Sequence, residues 1–232
     1  MRYLIILFAL AVVFSAVVAD ATVVNSPHDI AYGLSGREVC VNCHTPHQGQ
    51  NPPVSMLLWN RNRVSNATLF YNSATFDMGP ANSTNAGPQT NLCLACHDGA
   101  ASTLVNYPGP GSTQNTNYDL SSGKIGNWAN IGTDLSQEHP VAFVYNASAD
   151  KDNNGFQAAS NGVITGSGTG TSYRLYDNNT FQCATCHAVH DTATYTKASW
   201  NGLNNPRGSG EVYFLRTSNS ASQMCTDCHV NR

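Results

Sequence analysis

The chain has 232 residues, 11 Lys+Arg against 14 Asp+Glu and a formal charge of −3. That length holds one domain or two small ones, and the balance excludes a basic nucleic-acid footprint and a polybasic membrane patch. Only 11% of residues are charged, so solubility rests on abundant Asn, Ser, Thr and Gly, a composition suited to an exported, surface-exposed protein.

Residues 1–21, MRYLIILFALAVVFSAVVADA, begin with Arg2, run through apolar or small residues from Leu4 to Val18, and end in the small-x-small triplet Ala19-Asp20-Ala21. This predicts a signal peptide cleaved after Ala19 or Ala21. The alternative is an uncleaved anchor, since an apolar stretch of about 17 residues stands at the lower edge for spanning a bilayer. No later segment is apolar enough to span one.

His28 follows near the mature N-terminus, and then residues 40–47, CVNCHTPH. Leu58-Trp59-Asn60 comes next, then CLACH at 93–97 and a Gly/Pro/Ser/Thr/Asn-rich stretch at 107–117, YPGPGSTQNTN, which predicts loop. His139 precedes VAFVY at 141–145, a candidate short strand, and NGVITGSGTGTSY at 161–173 predicts loop or hairpin. Leu175 and Tyr176 are further strand candidates; CATCHAVH at 183–190, Ser199-Trp200-Asn201 and CTDCH at 225–229 complete the chain. Glycosylation sequons stand at Asn66, Asn82, Asn146 and Asn178, though so Asn- and Thr-rich a chain produces most of them by chance.

The eight cysteines fall only in pairs with two residues between: Cys40/Cys43, Cys93/Cys96, Cys183/Cys186 and Cys225/Cys228. Each pair is followed at once by a histidine: His44, His97, His187 and His229. C-x-x-C-H is the attachment signature of c-type haem. Its two thiols add to the two porphyrin vinyl groups, and the adjacent histidine becomes the proximal iron ligand. Structural zinc sites use Cys₄ or Cys₂His₂ sets and do not require a histidine after every pair; disulfides do not require one either. Four copies that use every cysteine predict four covalently bound haems c.

The remaining histidines are His28, His47, His139 and His190, so the chain holds eight in all. Four irons with two axial positions each need eight ligands. The match predicts low-spin, bis-histidine ligation throughout. His47 and His190 lie three residues after a proximal histidine and cannot easily cross to the distal face of their own haem. Each is expected to reach another iron, His47 the second haem and His190 the fourth. A thioether ligand raises haem potential, so all-histidine ligation points to low-potential electron transfer. It leaves no open position for a substrate, and an enzyme is not expected. Met56, Met78 and Met224 are assigned to packing.

The order His, C-x-x-C-H-x-x-H, C-x-x-C-H occurs twice, over 28–97 and 139–229. It predicts one tetrahaem domain, 22–232, made of two di-haem halves of about 22–137 and 138–232 related by an internal repeat. Leu58-Trp59-Asn60 and Ser199-Trp200-Asn201 echo one another within it. The expected fold is a multihaem cytochrome c, mostly coil with short helices and few short strands wrapped around a chain of four haems. The motifs are expected to start short helical turns, and the macrocycles to replace a conventional core.

CVNCHTPH, LLWNR, NLCLACHDG, EHPVAF, CATCHAVH and FLRTSNSASQMCTDCH together resemble the extracellular multihaem cytochromes of metal-respiring microbes, in particular the tetrahaem OmcE-like group. The resemblance covers nearly the whole mature chain, and the LWNR, CLACHDG and FLRTSN flanks are its more specific part. It implies a secreted, cell-surface subunit of a filament, a cytochrome nanowire, that conducts electrons along stacked haems to external acceptors. It further implies haems stacked in alternating parallel and T-shaped pairs and subunits joined head to tail. One axial histidine would come from the neighbouring subunit, for which His28 is the candidate. The partners implied are further copies of the chain, redox partners and extracellular acceptors, without nucleic acid or stable membrane insertion.

Two other readings compete. A soluble periplasmic tetrahaem carrier manages with fewer residues per haem than the roughly 53 left after removal of the first 21. A membrane-anchored tetrahaem quinol dehydrogenase needs the N-terminal segment retained, against the Ala19-Asp20-Ala21 site.

Overall fold

The computed structural model describes residues 23, 26, 28, 29, 39, 40, 43, 44, 58, 59, 67, 69–78, 87–99, 103–104, 118–119, 129–151, 155–190, 195–196, 211–212 and 214–231. The signal segment 1–21, His47, Met56, the 107–117 stretch, Trp200 and the sequons at Asn66 and Asn82 lie outside them.

Regular structure is short and local. The strands are β1 (Leu69–Phe70), β2 (Thr103–Leu104), β3 (Tyr118–Asp119), β4 (Asp134–Leu135), β5 (Phe143–Val144), β6 (Ala159–Ser160), β7 (Val163–Thr165), β8 (Ser172–Arg174), β9 (Thr180–Phe181), β10 (Tyr195–Thr196) and β11 (Glu211–Val212). The α-helices are α1 (Pro88–His97), α2 (Cys183–Cys186) and α3 (Gln223–Thr226). Strands pair as β1–β4 in parallel, and as β2–β3, β5–β9 and β10–β11 antiparallel. The largest sheet is the antiparallel β6–β7–β8, with Ile164 opposite both Ala159 and Tyr173. It forms where the Gly- and Thr-rich run reverses twice: Asn161-Gly162 turns β6 into β7 with both φ positive, 51° and 73°, as a two-residue hairpin requires.

The motifs were expected to start helical turns, and the second and fourth depart from this, the fourth because α3 already runs from Gln223 before it reaches Cys225. Cys93, Cys96 and His97 close the ten-residue helix α1 rather than opening one. The reason lies upstream of the motif. Pro88 at the first position of α1 is pre-set for helical φ, so the helix is already running when it reaches Cys93 and Cys96. Gly99, at φ 72°, ends it in the left-handed turn common after helices. No helix among the described residues is long and apolar enough to cross a membrane.

The expectation of no conventional core meets a different arrangement. Phe143, Tyr145, Ile164, Tyr173, Leu175 and Phe181 form a buried cluster, and Met78, Phe156, Cys186, Met224 and Cys228 pack against it. Its aromatic members meet edge-on or offset: Phe76 and Phe143 at 5.0 Å and 86°, Phe143 and Phe181 at 5.4 Å and 13°. The reason is the β6–β8 sheet, whose inward residues Ile164 and Tyr173 need a partner surface. The strand candidates VAFVY and Leu175-Tyr176 supply it. A second cluster joins Phe70, Leu94 and Leu135 beside α1. The third and fourth motifs are thus built against one small core and the second against another.

Candidate haem-binding site

Each motif is a single helical turn. The amide of His44 donates to the Cys40 carbonyl at 2.8 Å, that of His187 to Cys183 at 3.1 Å, and that of His229 to Cys225 at 2.9 Å. In the second motif Cys93 and Cys96 stand one turn apart on the last part of α1, both half-buried. One turn puts residues i and i+3 on one face, so both thiols of each pair point the same way, as two vinyl groups on one porphyrin edge require. None of the eight cysteines is in a disulfide.

The proximal histidines are then pinned by their backbones. His44 makes an isolated antiparallel bridge with Trp59, His187 with Leu215 and His229 with Phe156, while the His97 carbonyl accepts from the Ile131 amide at 2.9 Å. Leu58 (φ 51°) and Phe214 (φ 66°) both take the left-handed conformation immediately before the bridging residue. The structural counterpart of Leu58-Trp59 is therefore Phe214-Leu215; the Trp200 of the sequence echo lies outside the described residues.

Ring orientation is fixed from behind. His97 Nδ1 lies 2.7 Å from the Ala129 carbonyl and His139 Nδ1 lies 2.9 Å from the Pro140 carbonyl; the His187 ring donates to the Phe214 carbonyl. A proton on Nδ1 held by a carbonyl leaves Nε2 as the ligating atom.

The histidines meet in twos. His44 and His190 have ring centres 6.0 Å apart, His97 and His28 6.0 Å, and His229 and His139 6.5 Å. Each pair joins one proximal histidine to one distal histidine, and no histidine is used twice. Two imidazoles on opposite faces of one metal have centres about 6.2 Å apart, from a metal–nitrogen bond of about 2.0 Å and roughly 1.1 Å more to each ring centre. The residues fit the group that the motifs imply. His190 stands at the first motif and not at the fourth. The cause is local: α2 ends at Cys186 and His187 is extended (φ −109°, ψ 142°), which carries the following residues away from their own turn. His47, expected at the second haem, lies outside the described residues.

His28 is held by a tight turn in which Ser26 Oγ accepts from the His28 amide at 3.2 Å and donates to the Val23 carbonyl at 2.6 Å. Its ring stacks on Phe214 at 4.5 Å and 23°. Burial, with repulsion from His97, His187 and His190, lowers its pKa to about 4, so the ring is neutral at pH 7, the form that binds a metal.

The thiols interact between motifs. Cys93 and Cys183 share a hydrogen bond in which Cys93 donates, raising the former and lowering the latter. Cys93 also feels Cys96, its own partner one turn on, and Cys43 of the first motif. Burial pushes the Cys186 thiol up to about 12, with Cys228 as its next neighbour. Cys93 thus interacts with sulfurs of the first and third motifs, and Cys186 with a sulfur of the fourth.

Sequence reasoning missed what joins the second and third motifs. Gln182 Oε1 accepts from the Thr90 amide at 3.0 Å, and Thr90 Oγ1 accepts from the Cys183 amide at 3.2 Å. Each helix start caps the other, and α1 has no side-chain cap of its own. Gly87 makes room, since a Cβ there would lie 2.8 Å from Gln182 Oε1. Arg216 Nη2 donates to the Ala184 carbonyl at 2.8 Å, tying the 214–218 segment to the third motif. No local pattern marks Gln182 or Arg216. No protein-family model and no curated protein matches the chain.

Proposed function

We propose that the chain is an electron-transfer protein holding four c-type haems, each between two histidines, and that copies of it assemble into an extracellular conducting filament. The observation that carries the haem reading is the pairing of three distal histidines with three different proximal ones at 6.0–6.5 Å. His187 is the proximal histidine left over and His47 the distal one. His190 of the third motif thus serves the first. When bound, haem supplies a one-electron iron couple. The cysteines fix each macrocycle edge, the backbone carbonyls of Ala129, Pro140 and Phe214 orient the ligand rings, and histidines on both faces exclude small-molecule substrates. The interactions of Cys93 with Cys43 and Cys183, and of Cys186 with Cys228, support neighbouring sites, as stepwise transfer needs.

Mass spectrometry of the mature chain is expected to show four added haems, and optical spectra to be low-spin throughout. An unmodified mass sinks the reading.

The filament rests on the resemblance of the motif flanks and on the predicted signal peptide. A soluble carrier is favoured by one observation: His28 faces His97 of its own chain. In a filament the same contact would be exchanged between copies, His28 of one seated on His97 of the next, as swapped segments are. His28→Ala separates the two. Both readings expect one high-spin haem in four. Loss of filaments from the cell-surface fraction under negative stain supports the exchanged contact, and filaments of wild-type length refute it.

A further inference from the structure

The fourth motif differs from the others between its cysteines. Those residues are Val41-Asn42, Leu94-Ala95 and Ala184-Thr185 in the first three, and Thr226-Asp227 in the fourth, whose Asp227 is fully buried. A buried carboxylate is costly unless hydrogen bonds satisfy it. Asp227 sits in a basket made by the turn between β7 and β8. Oδ1 accepts from the amides of Gly168 at 3.0 Å and Thr169 at 2.9 Å; Oδ2 accepts from the Tyr173 hydroxyl at 2.6 Å and from Thr169 Oγ1. The turn is shaped for this carboxylate, because a Cβ on Gly166 would collide with the Asp227 side chain.

The motif is also stitched by backbone to this turn and to the residues before β6. The Ser167 amide donates to the Asp227 carbonyl at 3.2 Å, the Gln157 amide to Cys228 at 2.8 Å, and the Val230 amide to Gly155 at 2.9 Å. Position alone has been secured several times over, so the carboxylate is not needed merely to hold the turn. All four donors are uncharged at neutral pH, so they spread the charge without cancelling it.

We propose that Asp227 is a positioning residue for the fourth haem that also fixes a negative charge beside it, favouring the oxidised, more positive iron and lowering that site's reduction potential relative to the same site without the charge. This rests on the reading of Cys225, Cys228 and His229 as a haem site. A charge in a poorly solvated setting acts more strongly than one in water, and net local charge is one of the protein's levers on haem potential.

The test is a potentiometric titration of the full holo-chain, with haem content read by mass so that failure of the haem reading is seen separately. Asp227→Asn keeps shape and removes charge. One haem equivalent in four should shift to higher potential while the other three stay in place. Tyr173→Phe keeps the charge but removes a donor, leaving more of it to act on the iron; the same equivalent should shift lower. Opposite signs from two neighbouring substitutions are not the product of loosened packing. Four haems by mass with an unmoved potential in Asp227→Asn overturns the proposal. If Asp227→Asn does not assemble, Tyr173→Phe decides alone: a downward shift of one equivalent supports the charge, and no shift or an upward one overturns it.

Discussion

Replacing His190 with alanine is expected to convert one haem in four to high spin, and that haem is the one attached to Cys40 and Cys43. His190 stands 6.0 Å from His44 and belongs to the third motif by sequence only. A cycle of substitutions identifies the affected site. In a chain with Cys40 and Cys43 both changed to alanine, the first haem is never attached, and His190→Ala should add no high-spin signal. In a chain with the cysteines of the fourth motif removed, it should still convert one of the remaining three. High-spin signal appearing in the first background would assign His190 to another haem. The effect is expected to be all-or-none at one site, because alanine offers the iron nothing and Val189 beside it has no donor atom.

The second large effect is expected at Gln182. Gln182→Ala should destabilise the chain by roughly 2–3 kcal/mol, because it removes a helix cap and leaves the buried Thr90 amide without its acceptor. For a chain of this size that is a fall in melting temperature on the order of 5–10 °C. Gln182 and Thr90 are both fully buried, so water cannot easily substitute. The loss should be non-additive with Thr90→Val, which removes the reciprocal acceptor for the Cys183 amide. An unchanged melting temperature would mean that the two helix starts do not depend on each other.

Local backbone geometry was legible in the sequence. Cys-x-x-Cys-His fits within one helical turn, so its spacing alone sets both thiols and the histidine in register. That register is the same whether the turn stands alone, as at Cys40 and Cys43, or ends a longer helix, as at Cys93 and Cys96. The hairpin at 161–173 was legible for the same reason, since Asn161-Gly162 carries its own turn geometry. Partners across the chain were not legible. Nothing near His190 says that its counterpart is His44, and proximity in sequence pointed to the fourth motif instead. The Leu58-Trp59-Asn60 echo was matched to Trp200 because residue identity was compared. The structural repeat at Phe214-Leu215 shares a backbone role, a left-handed residue before a bridge to a proximal histidine, and that role tolerates different side chains. Asp227 reads as an ordinary polar residue in sequence, because its four donors come from a turn of Gly, Thr and Tyr far upstream. The small aromatic core was underestimated because Phe143, Tyr145, Tyr173 and Phe181 are scattered singly over short strands with no sustained period.

The pairing of His44 with His190 bears on how the molecule is made. Synthesis from the N-terminus delivers His44 long before His190, and domains complete themselves as their parts arrive. The His44–His190 pair cannot close until the third motif has emerged, so the first half has no finished state of its own. Distant closure of this kind slows folding. If haem is attached there as proposed, Cys40 and Cys43 stay in an unlocked segment until the third motif arrives.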